Sequence, residues 1–377
     1  MRIGIAKERR PDEHRVAASP DTVKRLTGMG HALTVETGAG AAASYPDAAY
    51  TAAGATIGDQ AAALSCEIVL AVQRPLPEQV KQMKSGAVLI GMLQPLQFKD
   101  EIAAYAKQGI IAFAMELVPR ITRAQAMDVL SSQANLAGYQ AVLDAADVFG
   151  RAMPMMMTAA GTIPPARVLV MGAGVAGLQA IATARRLGAI VSATDVRFAA
   201  KEQVESLGAT FLAVDLEAMK AMETAGGYAK EMGEDFAKRQ REHVTEALKK
   251  IDIAICTALI PGRKAPVLIT KEMVAVMRPG SAIVDLAVEA GGNVEGSKPG
   301  ESVTTANGVR IVGHANMPSR IAVDASALYA RNLFAFLGLI IDKDSKTLKI
   351  DTADEIVKAT LLTQGGAVVH PQLAGGA

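Results

Sequence analysis

Short apolar runs alternate with segments of helical spacing along most of the chain. In the first 133 residues, Ile3–Ala6, Ala32–Glu36, Glu67–Val72, Ala87–Met92 and Ile110–Ala114 read as strands. Helical segments lie between them, such as Pro20–Leu26, where Ser19 can cap the first turn and Pro20 fits within it. The pattern resumes from about 140 to 315, with strands expected at 167–171, 189–194, 210–214, 251–257, 281–286 and 309–312. Strand–helix alternation of this kind predicts open parallel sheets with helices on both faces.

The expected fold class is therefore α/β, with two doubly wound, Rossmann-like domains joined by long helices. Gln133–Phe149 is expected to lead into the second domain and Ile321–Ile341 to lead back. That places residues 1–133 and 320–377 in one domain and inserts a dinucleotide-binding domain, 134–319, between them. The cleft between two such domains is the default cofactor site. The tail Gln372–Ala377, small and Gly-rich, is expected to fray. Glu217–Lys250 stands apart: it is charge-laced, lacks a clear apolar stripe and carries Gly226-Gly227-Tyr228 near its start. It reads either as a solvated helical excursion or as a flap hinged at the glycines.

One stretch organises the second domain. The buried strand expected at Arg167–Met171 meets Gly172-Ala-Gly174-Val175-Ala-Gly177, which opens an Ala-rich helix ending near Gly188. A second strand then delivers Asp195, followed by Val196 and Arg197. In this order each glycine has a mechanical task. Gly172 permits the tight turn, Gly174 lets a pyrophosphate approach the backbone, and Gly177 lets helix pack on strand. The N–H groups at the helix start would hold the phosphates. Asp195, about 20 residues on, would accept from the adenosine ribose hydroxyls, a preference for NAD(H) over NADP(H). Arg197 qualifies that preference, because an Arg near this point can bind a 2′-phosphate, but Asp195 should repel one, so NAD(H) is the expected cofactor.

Composition narrows the function classes. The chain has 377 residues, half of them hydrophobic, with a formal net charge of +1. This balance argues for a soluble globular protein and against electrostatic binding of nucleic acid. Cys66 and Cys256 sit in apolar strand-like runs, and the five histidines form no ligand spacing, so no metal site is suggested. The N-terminus MRIGIAKERR lacks the apolar region of a signal peptide. The run that comes nearest to a span, Leu333–Ile341, is far short of the ~18 apolar residues that cross a bilayer.

Three polar clusters follow expected strand ends, where doubly wound sheets bind ligands. Arg120, Gln125, Asp128 and Ser131 could hold a carboxylate or a nicotinamide amide; equally, they could form a polar turn before an N-capped helix. Val284–Asn293, with Glu289, reads as a site loop ending in glycines. Lys7, Glu8 and Arg15 read by default as a surface salt-bridge patch. There is no nucleophile elbow and no Ser/His/Asp arrangement.

From end to end the chain resembles the NAD(H)-binding component of proton-translocating nicotinamide nucleotide transhydrogenases, a family related to alanine dehydrogenase. Shared with both are IAKERRPDEHRVAASP, ETGAGAAAS and GAGVAGLQAIATARRLGA. More diagnostic of transhydrogenase are MELVPRITRAQAMDVLSSQANLAGY, PMMMTAAGT, ETAGGYAKEM, TALIPGRKAPVLIT and VDLAVEAGGN. The resemblance implies that Arg120, Gln125, Asp128 and Ser131 orient the nicotinamide end. It gives Gly172, Gly174, Val175, Gly177, Asp195, Val196 and Arg197 the pyrophosphate and ribose contacts, with Gly227, Gln240 and Leu259 near the nucleotide. Tyr228 matches the tyrosine of the family's loop that closes over bound nucleotide.

Departures from alanine dehydrogenase are informative. Where that relative carries a Lys and a His for pyruvate and proton transfer, this chain has AVQRPLP and GMLQPLQ, so Gln73 and Gln94 stand there. Glu289 replaces an Asp, while Arg15 is retained. Amino-acid oxidation needs a proton-exchanging group; hydride transfer between two nicotinamides needs none. The resemblance thus implies an NAD(H)-binding subunit that passes hydride to NADP⁺ held on a separate domain. It implies a homodimer on the cytoplasmic face of the bacterial inner membrane, attached through a membrane-spanning partner that couples the reaction to proton flow. An alanine dehydrogenase-like enzyme acting alone is the alternative.

Overall fold

The computed structural model describes residues 1–222, 234–259 and 262–374, which divide into two compact units. The first comprises Met1–Gln133 and Pro318–Ala377; the second comprises Ala134–Met317. Helix Val129–Phe149 runs through the boundary, starting four residues before the expected Gln133 because Asp128 caps it.

The first unit holds an eight-stranded sheet. In spatial order its strands are Ala367–Val368, Leu361–Gln364, Ile111–Ala114, Val88–Met92, Ile68–Gln73, Arg2–Ile5, Ala32–Glu36 and Thr56–Gly58. The chain lays Ala32–Glu36 and Thr56–Gly58 on one side of Arg2–Ile5, then crosses to place Ile68–Gln73 on the other. Its topological switch point falls between Arg2–Ile5 and Ile68–Gln73. Alternate residues feed opposite faces, as period-2 geometry requires. Ile68, Leu70 and Val72 enter one core, with Tyr329 and Phe336, while Val69 and Ala71 enter another, with Tyr105. Such two-sided burial is why these strands read as continuous apolar runs, and each fully buried Ile or Leu contributes about 1.5–3 kcal/mol.

The second unit repeats the plan with seven strands: Thr210–Phe211, Ile190–Thr194, Arg167–Met171, Ile253–Cys256, Ala282–Asp285, Arg310–Gly313 and Glu301–Thr304. Here the switch point lies between Arg167–Met171 and Ile253–Cys256. Val168 and Val170 face one core, Leu169 and Met171 the other.

Several expectations change in the structure. The sheets are not wholly parallel: Glu301–Thr304 pairs antiparallel with Arg310–Gly313, and Leu361–Gln364 pairs antiparallel with Ile111–Ala114. The first of these arises because a short turn, with no crossover helix, joins its two strands. Strand 210–214 shortens to Thr210–Phe211. An unforeseen hairpin pairs Met156–Thr158 with Gly161–Ile163, and every one of those residues is exposed. The charged segment 217–250 supplies helices Leu216–Met222 and Glu234–Leu248; Gly226, Gly227 and Tyr228 lie outside the described residues. Met317–Ile340 is long and apolar enough, by length and composition, to cross a membrane, although no single apolar run within it is. Its buried residues, including Leu333 and Leu337, pack in the core of the first unit, which accounts for its apolar character.

Candidate functional site

At the switch point of the second unit, strand Arg167–Met171 ends in the glycine turn. Gly172 has φ +103°, a conformation that favours glycine, and a Cβ there would lie 2.6 Å from Thr257 Oγ1. A Cβ on Gly177 would stand 1.8 Å from the Gly172 carbonyl oxygen, so helix and turn are in contact. At Gly174 the opposite holds: a Cβ would meet nothing within 4 Å. Gly174 is also the N-cap of helix Val175–Arg186, and no side chain caps that end. The first-turn N–H groups therefore lack an intrahelical or capping partner and sit beside open space. Open space, exposed amides and the positive end of the helix dipole fit a pyrophosphate.

Two residues to which the sequence motifs assign no individual role brace this turn. The Thr257 hydroxyl donates to the Gly172 carbonyl at 2.9 Å, and the Thr257 N–H donates to Met171 at 2.9 Å. Gly138, on helix Val129–Phe149, packs so closely that a Cβ would lie 2.0 Å from the Ala176 carbonyl. Local sequence is silent about Thr257 because its partner is 85 residues away.

Asp195 follows strand Ile190–Thr194 and joins the turn to the ribose position. Its Oδ2 accepts from the Ala173 N–H at 2.7 Å and from Arg197 Nη2 at 2.9 Å. Its Oδ1 accepts from the Arg197 N–H and from Arg197 Nε, both at 2.9 Å. Burial pushes the carboxyl up, but the Arg197 and backbone hydrogen bonds outweigh it and hold it below the usual range. Arg197, read from sequence as a group that could accept a 2′-phosphate, is instead engaged with Asp195.

Apolar side chains border the same edge. Val175, Val196 and Leu259 are 40%, 56% and 58% exposed, high for aliphatic residues and suited to flanking a flat ring. Gln240, on helix Glu234–Leu248, accepts from the Val214 N–H at 3.0 Å and donates to Thr194 Oγ1 at 3.2 Å. It thus secures the strand end that precedes Asp195. Glu289 accepts from the Asn316 N–H at 2.8 Å. The predicted site loop 284–293 is braced by buried Asp285, which accepts from the N–H groups of Ala287, Asn293 and Val294.

In the first unit, the polar loop forms the helix cap that was one of its two expected roles. Asp128 accepts from the Ser131 N–H at 2.8 Å and from its hydroxyl at 2.5 Å, so both residues close the start of helix Val129–Phe149. Arg120 and Gln125 are exposed, and among the described residues neither side chain makes a hydrogen bond. Arg123 anchors the loop instead, donating to Asp354 at 2.7 and 3.2 Å.

The expected surface patch of Lys7, Glu8 and Arg15 is corrected by the structure. Lys7 is exposed, but Arg15 is 4% exposed and donates to Glu13 through Nε and Nη2 at 2.8 and 2.6 Å. Arg15 Nη1 donates to Gln133 at 2.8 Å, and Gln73 Nε2 donates to Glu13 at 2.7 Å. Glu8 accepts from the Val72 and Gln73 N–H groups at 2.6 and 3.3 Å. Burial first, then the neighbouring Glu13 charge, pushes its carboxyl up to about 8. Gln94 adopts φ +47° and accepts from Arg74 Nη1. Among the described residues, no three His, Cys, Asp or Glu side chains gather as metal ligands.

Comparisons with known proteins agree along the whole chain. The family model described as alanine dehydrogenase/PNT, N-terminal domain, matches residues 4–137, and its C-terminal counterpart matches residues 141–371. The first segment of the divided alpha subunit of NAD(P) transhydrogenase from Rhodospirillum rubrum is 61% identical over 382 residues, covering 100% of this chain and 99% of that protein. Alanine dehydrogenase of Bacillus subtilis is 30% identical, over 99% of this chain and 94% of that enzyme. A crystal structure of transhydrogenase from Sinorhizobium meliloti superposes with a TM-score of 0.89 at 53% identity, covering 98% of this chain and 100% of that one.

Proposed function

The chain belongs to the alanine dehydrogenase/PNT family, and from that premise we propose that it is the NAD(H)-binding subunit of a transhydrogenase. The observation that carries the reading is the uncapped helix start at Gly174, with open space in front of it and Asp195 tied to the same turn. In this reading the amides after Gly174 hold the pyrophosphate and Asp195 takes the ribose hydroxyls. Val175, Val196 and Leu259 flank the adenosine. Arg120, Gln125, Asp128 and Ser131 orient the nicotinamide end, with Asp128 and Ser131 also holding the loop in shape. Gly227 and Tyr228 keep only the role the resemblance implies.

Bound NADH would supply the hydride, and NADP⁺ on a partner chain would accept it. The protein's contribution is positioning, since reacting carbons must approach to about 3–3.5 Å. No proton-exchanging side chain stands at positions 73 and 94, which supports hydride transfer over amino-acid oxidation. The Rhodospirillum relative's designation as one segment of a subunit supports further chains that bind NADP(H) and carry protons across the inner membrane. This chain would then work at the cytoplasmic face. The exposed hairpin, with Met156 and Met157 at 43% and 74%, supports a homodimer.

The test combines the purified chain with an NADP(H)-binding transhydrogenase subunit and follows hydride transfer from NADH. Turnover that needs both proteins is the expected result. Substituting Gln125→Asn should slow it about tenfold while NADH affinity, read by fluorescence, stays near wild type. Steady NADH oxidation with pyruvate and ammonium by the chain alone would replace this reading with an amino-acid dehydrogenase.

A further inference from the structure

We propose that a cavity at the N-terminal edge of the first unit's sheet, opposite the edge where its strands end, binds a phosphate monoester. The cavity, of about 470 Å³, forms where Arg2–Ile5, Ile68–Gln73 and Val88–Met92 begin and where the turn after helix Ala322–Ile340 passes them. That volume lies within the range of small-molecule sites, about 300–1,000 Å³. Cys66, Ala87 and Leu348 give it an apolar lining. Three cations, Arg2, Lys84 and Lys346, stand around this lining against a single carboxylate, Glu67. Glu67 is committed to Arg2: its Oε2 accepts from the Arg2 N–H at 2.8 Å and lies 3.8 Å from Arg2 Nε. Among the described residues, the ammonium groups of Lys84 and Lys346 form neither an ion pair nor a hydrogen bond.

A lysine at this edge ordinarily serves a helix C-terminus, because the helices of a parallel sheet end where its strands begin. Here backbone amides already close those ends. The Leu26 and Thr27 carbonyls accept from His31 and Gly30, those of Tyr105 and Ala106 from Ile110 and Gly109, and that of Ile340 from Lys349. Lys346 is laid over Gly30 instead, where a Cβ would stand 2.3 Å from its Nζ. Its turn is held by Asp342, whose Oδ1 accepts from the N–H groups of Asp344 and Ser345 and from the Ser345 hydroxyl. Two ammonium groups without a partner match one dianion. A phosphate monoester carries about −1.5 to −2 charge at neutral pH and three acceptor oxygens. Those oxygens take the two ammonium groups and the Ser85 hydroxyl, while the carbon body of the ester rests on the apolar lining.

A free phosphate ester and the headgroup of phosphatidic acid share this chemistry, and the experiment separates them. The full chain is titrated with glycerol 3-phosphate by calorimetry and, in a second arm, floated with phosphatidylcholine vesicles that contain phosphatidic acid. Saturable binding of the soluble ester supports a free ligand; vesicle binding without it supports a lipid headgroup. In whichever arm binds, the double variant Lys84→Ala/Lys346→Ala should weaken binding about tenfold or more. Lys343→Ala, which removes an exposed cation from the same turn outside the cavity, should leave it unchanged. NADH affinity should stay at the wild-type value in both variants. Absence of binding in both arms would overturn the proposal. So would binding that the double variant leaves intact, which would put the anion elsewhere on the chain, or an equal loss in Lys343→Ala, which would mean diffuse surface charge and no site.

Discussion

Two sheets of the same winding meet their switch points in opposite ways. In the second unit the strand ends at Gly172–Gly174, with uncapped helical amides and nothing within 4 Å of a Gly174 Cβ. In the first unit the corresponding place, where Arg2–Ile5 and Ile68–Gln73 end, is filled by the chain's own carboxylate. Glu8 takes the Val72 and Gln73 amides there, and Glu13, Arg15, Gln73 and Gln133 form a network beside it. Topology makes a crevice at both places. Side chains determine whether it stays open to a ligand or becomes a brace for the fold.

Substitutions can break this contrast. The largest effect is expected at the filled crevice: Arg15→Met leaves the Glu13 charge buried and should cost about 3–5 kcal/mol of stability in urea unfolding. A loss under about 1 kcal/mol would mean the network is not a brace. Next is a pH effect from Glu8, whose carboxyl is raised from its ordinary 4.5 to about 8. The folded protein keeps this proton where the unfolded chain has released it. Stability should therefore fall as pH rises from about 4.5 to about 8, by up to about 1.4 kcal/mol per pH unit, and level off above. Glu8→Gln should flatten that slope; an unchanged slope would assign it to other groups.

At the open crevice the expected effects fall on binding. Gly177→Ala drives a methyl into the Gly172 carbonyl and should cost about 1–3 kcal/mol, with NADH affinity reduced about tenfold or more. Wild-type affinity in that variant would contradict the packing role of Gly177. Thr257→Val removes only the hydroxyl that donates to Gly172 and should cost about 0.5–1.5 kcal/mol, read as a small rise in the NADH dissociation constant. If Arg15→Met and Thr257→Val affect stability and binding alike, the division between brace and site fails.

The open site was far more legible in the sequence than the filled one. Glycines, a helix start and an acidic residue about 20 positions on form a local signature, because a phosphate is held by backbone that one turn can build. Arg15 gave no such signal. Its partner Glu13 is two residues away, but its burial depends on Gln73 and Gln133, brought in from 58 and 118 positions along the chain. A polar cluster read one residue at a time looks solvated by default. The hairpin at Met156–Ile163 was missed for a related reason, since three-residue strands carry too little periodicity to register.

Local chemistry along the chain was enough to establish two α/β units, the glycine turn and the acidic partner at Asp195. Apolar runs become two-sided strands wherever a sheet is covered on both faces, and a tight turn into a helix admits only small residues. Long-range assembly alone settled which charges are exposed and which are paired. It put Thr257 onto the glycine turn and Glu8 into the crevice of the first unit. Those outcomes depend on which side chains folding brings within about 3 Å of one another, a distance no spacing in the sequence encodes.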